Sequence, residues 1–172
     1  MVPLTALASR YSALKDEVAV EFKARQLASR FGGDPAARAD GEPKRDARAE
    51  AARRLGVGVS HATLEKVAWL QHVVTDPDGW LPVKQAAFDA LEAVDQGEGV
   101  DHVYTKVLAM SLIADIESVA DDEATDPLAR QVAAISLRKL RAMQEQRFRP
   151  EVVLREARKA AALVKEAQGQ RR

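Results

Sequence analysis

The chain has 172 residues, of which 47% are hydrophobic, 30% charged and 5% aromatic; 26 Lys and Arg balance 26 Asp and Glu, and cysteine is absent. This length suffices for one core or for a small domain with a helical extension. Without cysteine there are no disulfides, thiolate metal sites or thiol nucleophiles, and the Ala, Leu, Arg and Glu content with little alternating patterning predicts an all-α fold.

Residues 1–31 read as an N-terminal segment dominated by one long helix. Leu4, Leu7, Tyr11, Leu14, Val18, Phe22 and Leu27 recur at three- to five-residue steps with charges between them. Gly32-Gly33-Asp34-Pro35 ends it. Residues 32–45 hold glycine, proline and charge with no apolar side chain larger than alanine, so a flexible linker is expected there.

Residues 46–119 read as a helix-turn-helix core with its supporting helices. Asp46 to Leu55 forms the first helix, with Ala51, Ala52 and Leu55 on one face, and Gly56-Val57-Gly58-Val59 reverses the backbone. Ser60 caps a second helix whose stripe is Leu64, Val67, Ala68 and Gln71. In such a motif the start of the second helix meets the major groove. The candidate DNA-contacting residues there are Ser60, His61, Ala62, Thr63 and Lys66. Arg45, Arg48, Arg53 and Arg54 on and before the first helix are candidate phosphate clamps. Trp69 is expected in the core. The alternative is an ordinary helical hairpin.

These residues resemble a known family. A-x-x-L-G-V…S-x-x-T-L-E-K is similar to the helix-turn-helix of ParB-like partition proteins and related plasmid and phage regulators, and Gly99-Val100-Asp101-His102-Val103-Tyr104 looks like the G-x-V-x-x-A-Y signature that often follows it. The motif pair covers about a third of the chain. The turn is two residues longer than usual, through Gly58-Val59, and Val103 stands where alanine is common. Nothing resembles the nucleotide-binding part of true ParB proteins, so the resemblance does not imply CTP hydrolysis.

Thr75-Asp76-Pro77-Asp78-Gly79 breaks the chain before a helix whose expected buried stripe is Phe88, Leu91 and Val94, ended by Asp95-Gln96-Gly97. A helix from about Val100 follows, running to the acidic break at Asp121-Asp122-Glu123. Residues 120–172 read as a basic C-terminal helical hairpin. This last part echoes the one before it: Thr75-Asp76-Pro77 recurs as Thr125-Asp126-Pro127, and Lys84-Gln85 aligns with Arg130-Gln131. Arg138, Arg141, Arg147 and Arg149 are candidates for a second DNA contact. The stripe of Val152, Val153, Ala157, Ala160, Leu163 and Val164 offers a dimer seam, the alternative being a solvated basic face.

The zero net charge hides a segregation. Residues 1–75 hold twelve basic against nine acidic side chains, residues 76–126 two against thirteen, and residues 127–172 twelve against four. Basic segments can follow phosphate, or pack against the acidic middle within or between copies.

No phosphate-binding glycine loop, zinc-protease motif or nucleophile elbow occurs, and His61, His72 and His102 lack metal-site spacing. Neither an enzyme nor a cofactor is expected. The absence of a signal-like or membrane-spanning apolar run points to a cytoplasmic protein without a membrane partner. The expected function is sequence-specific double-stranded DNA binding in a bacterial mobile element or phage, as a repressor, a partition or replication adaptor, or a recombination directionality factor. A homodimer is expected, with a recombinase, partition or replication protein as a further partner. The alternative is an all-α protein-protein interaction module without nucleic-acid binding.

Overall fold

The structure, a computed structural model, describes residues 2–31 and 47–169. These residues form seven helices and no strand: α1 (Leu4–Arg30), α2 (Ala47–Leu55), α3 (His61–Thr75), α4 (Leu81–Asp95), α5 (Val100–Asp121), α6 (Pro127–Glu145) and α7 (Pro150–Gly169). The protein is therefore all-α. Residues 32–45, expected as a linker, lie outside the described residues. The chain divides into two compact units, Met1–Gln71 and His72–Arg172, and the division falls within α3. No helix among the described residues is long and apolar enough to cross a membrane.

In the first unit α1 packs on α2. Its core gathers Leu7 and Tyr11 of α1, Ala51 of α2 and Leu64 of α3, with Leu4, Leu14, Ala52, Leu55 and Val59 packed around them. The predicted α1 stripe holds at Leu7, Tyr11 and Val18, which are buried, and fails at Leu27, which is 45% exposed. The reason is length. A 27-residue helix spans about 40 Å, and the nine residues of α2 cover only about a third of that.

In the second unit α4 lies on α5, while α5, α6 and α7 pack pairwise. Their core joins Ala109, Ile113 and Ile116 of α5 to Ala133, Leu137, Leu140 and Met143 of α6 and to Val153, Leu154, Ala157, Ala160 and Val164 of α7. Another side of α5, with Val103 and Val107, faces Ala90 and Ala93 of α4 across an open cleft. Neighbours on two sides explain why α5 lacks a continuous polar face. The α7 stripe expected as a dimer seam is instead consumed inside the chain: Val153, Ala157, Ala160 and Val164 are buried against α5 and α6, and Leu163 is left outside.

For α4 the expected stripe of Phe88, Leu91 and Val94 holds at Val94, is half-buried at Leu91 and is corrected at Phe88. Phe88 is 47% exposed, and the buried residues are Val83, Ala87, Ala90 and Val94. The alanine face of α4 turns toward α5 and the phenylalanine outward.

The two hairpins α4–α5 and α6–α7 repeat each other in detail. Asp76 Oδ1 accepts the Asp78 N–H at 3.0 Å, and Asp122 Oδ1 accepts the Ala124 N–H at 3.0 Å, forming matching side-chain turns 46 residues apart. The Asp122 turn is closed further by the Thr125 hydroxyl at 2.9 Å, and these bonds hold the Asp122 carboxyl below its ordinary range. At the far end Gly97 donates to Val94 O and Glu98 to Ala93 O; fifty residues on, Arg147 donates to Gln144 O and Phe148 to Met143 O. Both are Schellman caps, with Gly97 (φ 97°) and Arg147 (φ 58°) in the left-handed position. The offset grows from 46 to 50 because α6 has 19 residues and α4 has 15, one helical turn more. The sequence alignment of Thr75-Asp76-Pro77 with Thr125-Asp126-Pro127 is thereby corrected: the first closes α3, whereas Asp126-Pro127 opens α6.

Candidate nucleic-acid interface

The segment from α2 through the Gly56–Val59 turn to α3 forms for local reasons. Alanines allow α2 to sit close to α1, and Ala51 is fully buried. Gly56 (φ 65°) and Gly58 (φ 71°) both adopt the left-handed conformation, which costs an L side chain roughly 1 kcal/mol. A Cβ at either position would meet nothing within 4 Å, so torsion and not space demands glycine.

Ser60 then caps α3. Its Oγ accepts the Thr63 N–H at 3.2 Å and shares a hydrogen bond with Thr63 Oγ1 at 2.9 Å, while its carbonyl accepts the Leu64 N–H at 3.1 Å. Of the predicted contacts, Ser60, His61 and Ala62 are exposed, whereas Thr63 and Lys66 are half-buried. The opposite side of α3 buries Leu64, Val67 and Leu70, and Trp69 is half-buried.

Four polar links that sequence reasoning missed join α3 to α1. The Tyr11 hydroxyl donates to Glu65 Oε1 at 2.6 Å, and Lys15 Nζ reaches the same oxygen at 3.4 Å. Gln71 Nε2 donates to Thr5 O at 2.9 Å and to Ser9 Oγ at 3.2 Å. A tyrosine in a buried stripe requires a partner for its hydroxyl, and that was the available signal.

The arginines differ in their freedom. Arg45 lies outside the described residues, and Arg48 is exposed. Arg53 grips both oxygens of Glu50, with Nε–Oε2 at 2.9 Å. Arg54 donates to Glu21 of α1 at 2.7 Å and to Glu50 at 3.2 Å, so it ties α2 to α1. Hydrogen bonding to Arg53, and then to Arg54, lowers the Glu50 carboxyl to about 2. Glu50, at i−3 and i−4 from the two arginines, is the residue the sequence reading passed over.

In the second unit Arg138, Arg141, Arg147 and Arg149 are all exposed. Arg141 pairs with Glu117 of α5 at 2.7 Å. Glu156 of α7 takes Lys139 at 3.0 Å and Lys159 at 3.3 Å, which together hold its carboxyl below the usual range. Part of the basic surface is thus neutralised within the second unit. Two open clefts of about 330 and 220 Å³ flank α5 and share Lys106 and Met110, with walls mostly of alanine, valine and other apolar groups. The Gly99–Tyr104 segment opens α5, where Gly99 precedes the first turn and Val103 is buried.

Among protein-family models, curated proteins and solved structures, none matches this chain. The resemblance to ParB-like regulators therefore rests on the motif residues themselves.

Proposed function

We propose that the chain is a sequence-specific double-stranded DNA-binding protein in which α2, the Gly56–Val59 turn and α3 act as a helix-turn-helix, serving a phage or plasmid as repressor, partition or replication adaptor, or recombination directionality factor. One observation carries this reading: three consecutive exposed residues, Ser60, His61 and Ala62, head a helix whose other side is held to α1 by burial and polar links. A groove-reading helix needs an open leading end on a rigid support. His61 donates to a guanine acceptor, the Ala62 methyl meets a thymine methyl, and Thr63 and Lys66 reach base edge or backbone from the next turn. Arg48 and Arg53 flank this end as phosphate contacts, Arg53 exchanging Glu50 for phosphate, while Arg54 serves as a positioning residue.

Fluorescence polarisation on genomic fragments tests the reading. Selective binding is expected to weaken between about 50 and 200 mM salt, with each phosphate contact adding about 0.9 to the logarithmic slope. Ala62→Asp should abolish it while leaving the fold intact, since an acid in the first turn favours the helix. Absence of selective binding at low salt refutes it.

A second reading, an all-α interaction module without nucleic acid, is supported by the outward-facing Leu81, Phe88, Leu128 and Ile135 of the second unit. Loss of no activity in Ala62→Asp, together with capture of a protein partner, would favour it.

A further inference from the structure

Because α4 and α6 are corresponding helices of a repeated hairpin, their outer faces can be compared, the apolar pairs lying one residue out of the 46-residue register. On α4 the outward line is Leu81, Phe88 and Glu92, and on α6 it is Leu128, Ile135 and Arg138; all six are exposed, Leu81 at 76% and Ile135 at 55%. The apolar pairs are each seven residues apart, about 10.5 Å of helix. The charges follow after about 16.5 Å in α4 and about 15 Å in α6, a mismatch of one residue, so Glu92 stays within about 20° of its apolar line while Arg138 flanks its own by about 80°. Each helix thus carries an apolar pair of the same spacing followed by an exposed charge, acidic on α4 and basic on α6. Among the described residues neither the Glu92 carboxylate nor the Arg138 guanidinium has an ion-pair partner.

We propose that these two faces bind each other between two copies of the chain, α4 of one copy lying parallel to α6 of its partner. Leu81 then meets the partner's Leu128, Phe88 meets the partner's Ile135, and Glu92 meets the partner's Arg138. Antiparallel packing would set both charges against leucine, which the desolvation of a charge disfavours. A two-fold axis along the helices makes the contact twice, α4 on α6 and α6 on α4, and closes the assembly as a dimer. The wider charge pattern agrees, since residues 76–126 carry two basic against thirteen acidic side chains and residues 127–172 twelve against four. This inference is independent of DNA binding and is tested without DNA.

The test uses charge reversal in the full-length chain, read by sedimentation equilibrium. Wild type is expected to sediment as a dissociable dimer. Glu92→Arg or Arg138→Glu alone should weaken association about tenfold or more, because each reversal sets two like-charged contacts in the symmetric interface. Mixing the two variants should restore it: in the mixed dimer both contacts are again between opposite charges. All three positions of the control Ile135→Glu, Glu92→Arg and Arg138→Glu are exposed, so folding is preserved, and Ile135→Glu should give monomer. A monomeric wild type at tens of micromolar, reversals without effect, or a mixture no tighter than its components would each overturn the proposal. The last two outcomes would assign the faces to a different partner protein.

Discussion

Single residues in this chain work mainly by holding others. Glu50 organises Arg53 and Arg54 of α2, and its carboxyl at about 2, against an ordinary 4.5, fixes the sign of its contribution. A depressed carboxyl stabilises the fold above its unfolded value and loses that effect as pH falls through the folded one. Glu50→Gln should therefore be less stable than wild type at pH 7, and urea midpoints of the two should converge between about pH 4.5 and 2. An undiminished gap at pH 2 would show that Glu50 acts through packing and not charge. Gly97 and Arg147 provide a second comparison, because they occupy the same left-handed cap position in the two hairpins. Gly97→Ala should cost about 1 kcal/mol, lowering the melting temperature by roughly 2–4 °C, while Arg147→Gly should be neutral or stabilising by up to about 1 kcal/mol.

At the scale of elements, capping and reading can be separated at the start of α3. Ser60→Ala removes the acceptor for the Thr63 N–H and should cost about 1 kcal/mol in thermal denaturation. Ser60→Asp keeps the cap and should preserve stability, yet its charge should weaken DNA binding if α3 enters a groove. In the core, Leu140→Ala empties a site only 1% exposed and should cost about 2–5 kcal/mol by chemical denaturation. Much of this level was legible in advance. The Gly56–Val59 turn, the Ser60 cap and the close of α4 at Gln96-Gly97 follow from backbone chemistry that a few residues determine. The inward face of α4 was legible only at Val94, because alanine marks a buried helix face as weakly as it marks an exposed one. Phe88 drew attention by its size, yet Ala87 and Ala90 are the side chains that turn inward. The support of α3 by α1 escaped for another reason: the Tyr11–Glu65 pair spans 54 positions, and no local pattern encodes it.

Across the whole molecule, charge separates along the chain while the net stays at zero. Within the second unit, Glu117 of α5 and Glu156 of α7 already engage Arg141, Lys139 and Lys159, so the basic tally overstates what is available to phosphate. The sequence shows the tally; only the packing of α5 and α7 shows the neutralisation. If the α6–α7 hairpin touches the DNA backbone, Arg149→Ala should reduce the logarithmic salt slope by about 0.9 and weaken all sequences alike. An unchanged slope would confine DNA contact to the first unit.

The added turn of α6 has a consequence for how such hairpins tolerate changes in length. Four residues advance a helix by about 400°, only some 40° beyond a full revolution, so the seam keeps its phase while the arm grows by about 6 Å. Two residues would swing it by about 200°, turning Leu137 and Leu140 out and their polar neighbours in. Lengthening or trimming of these arms is thereby quantised, and tandem copies can drift in size without losing the surface on which they stack.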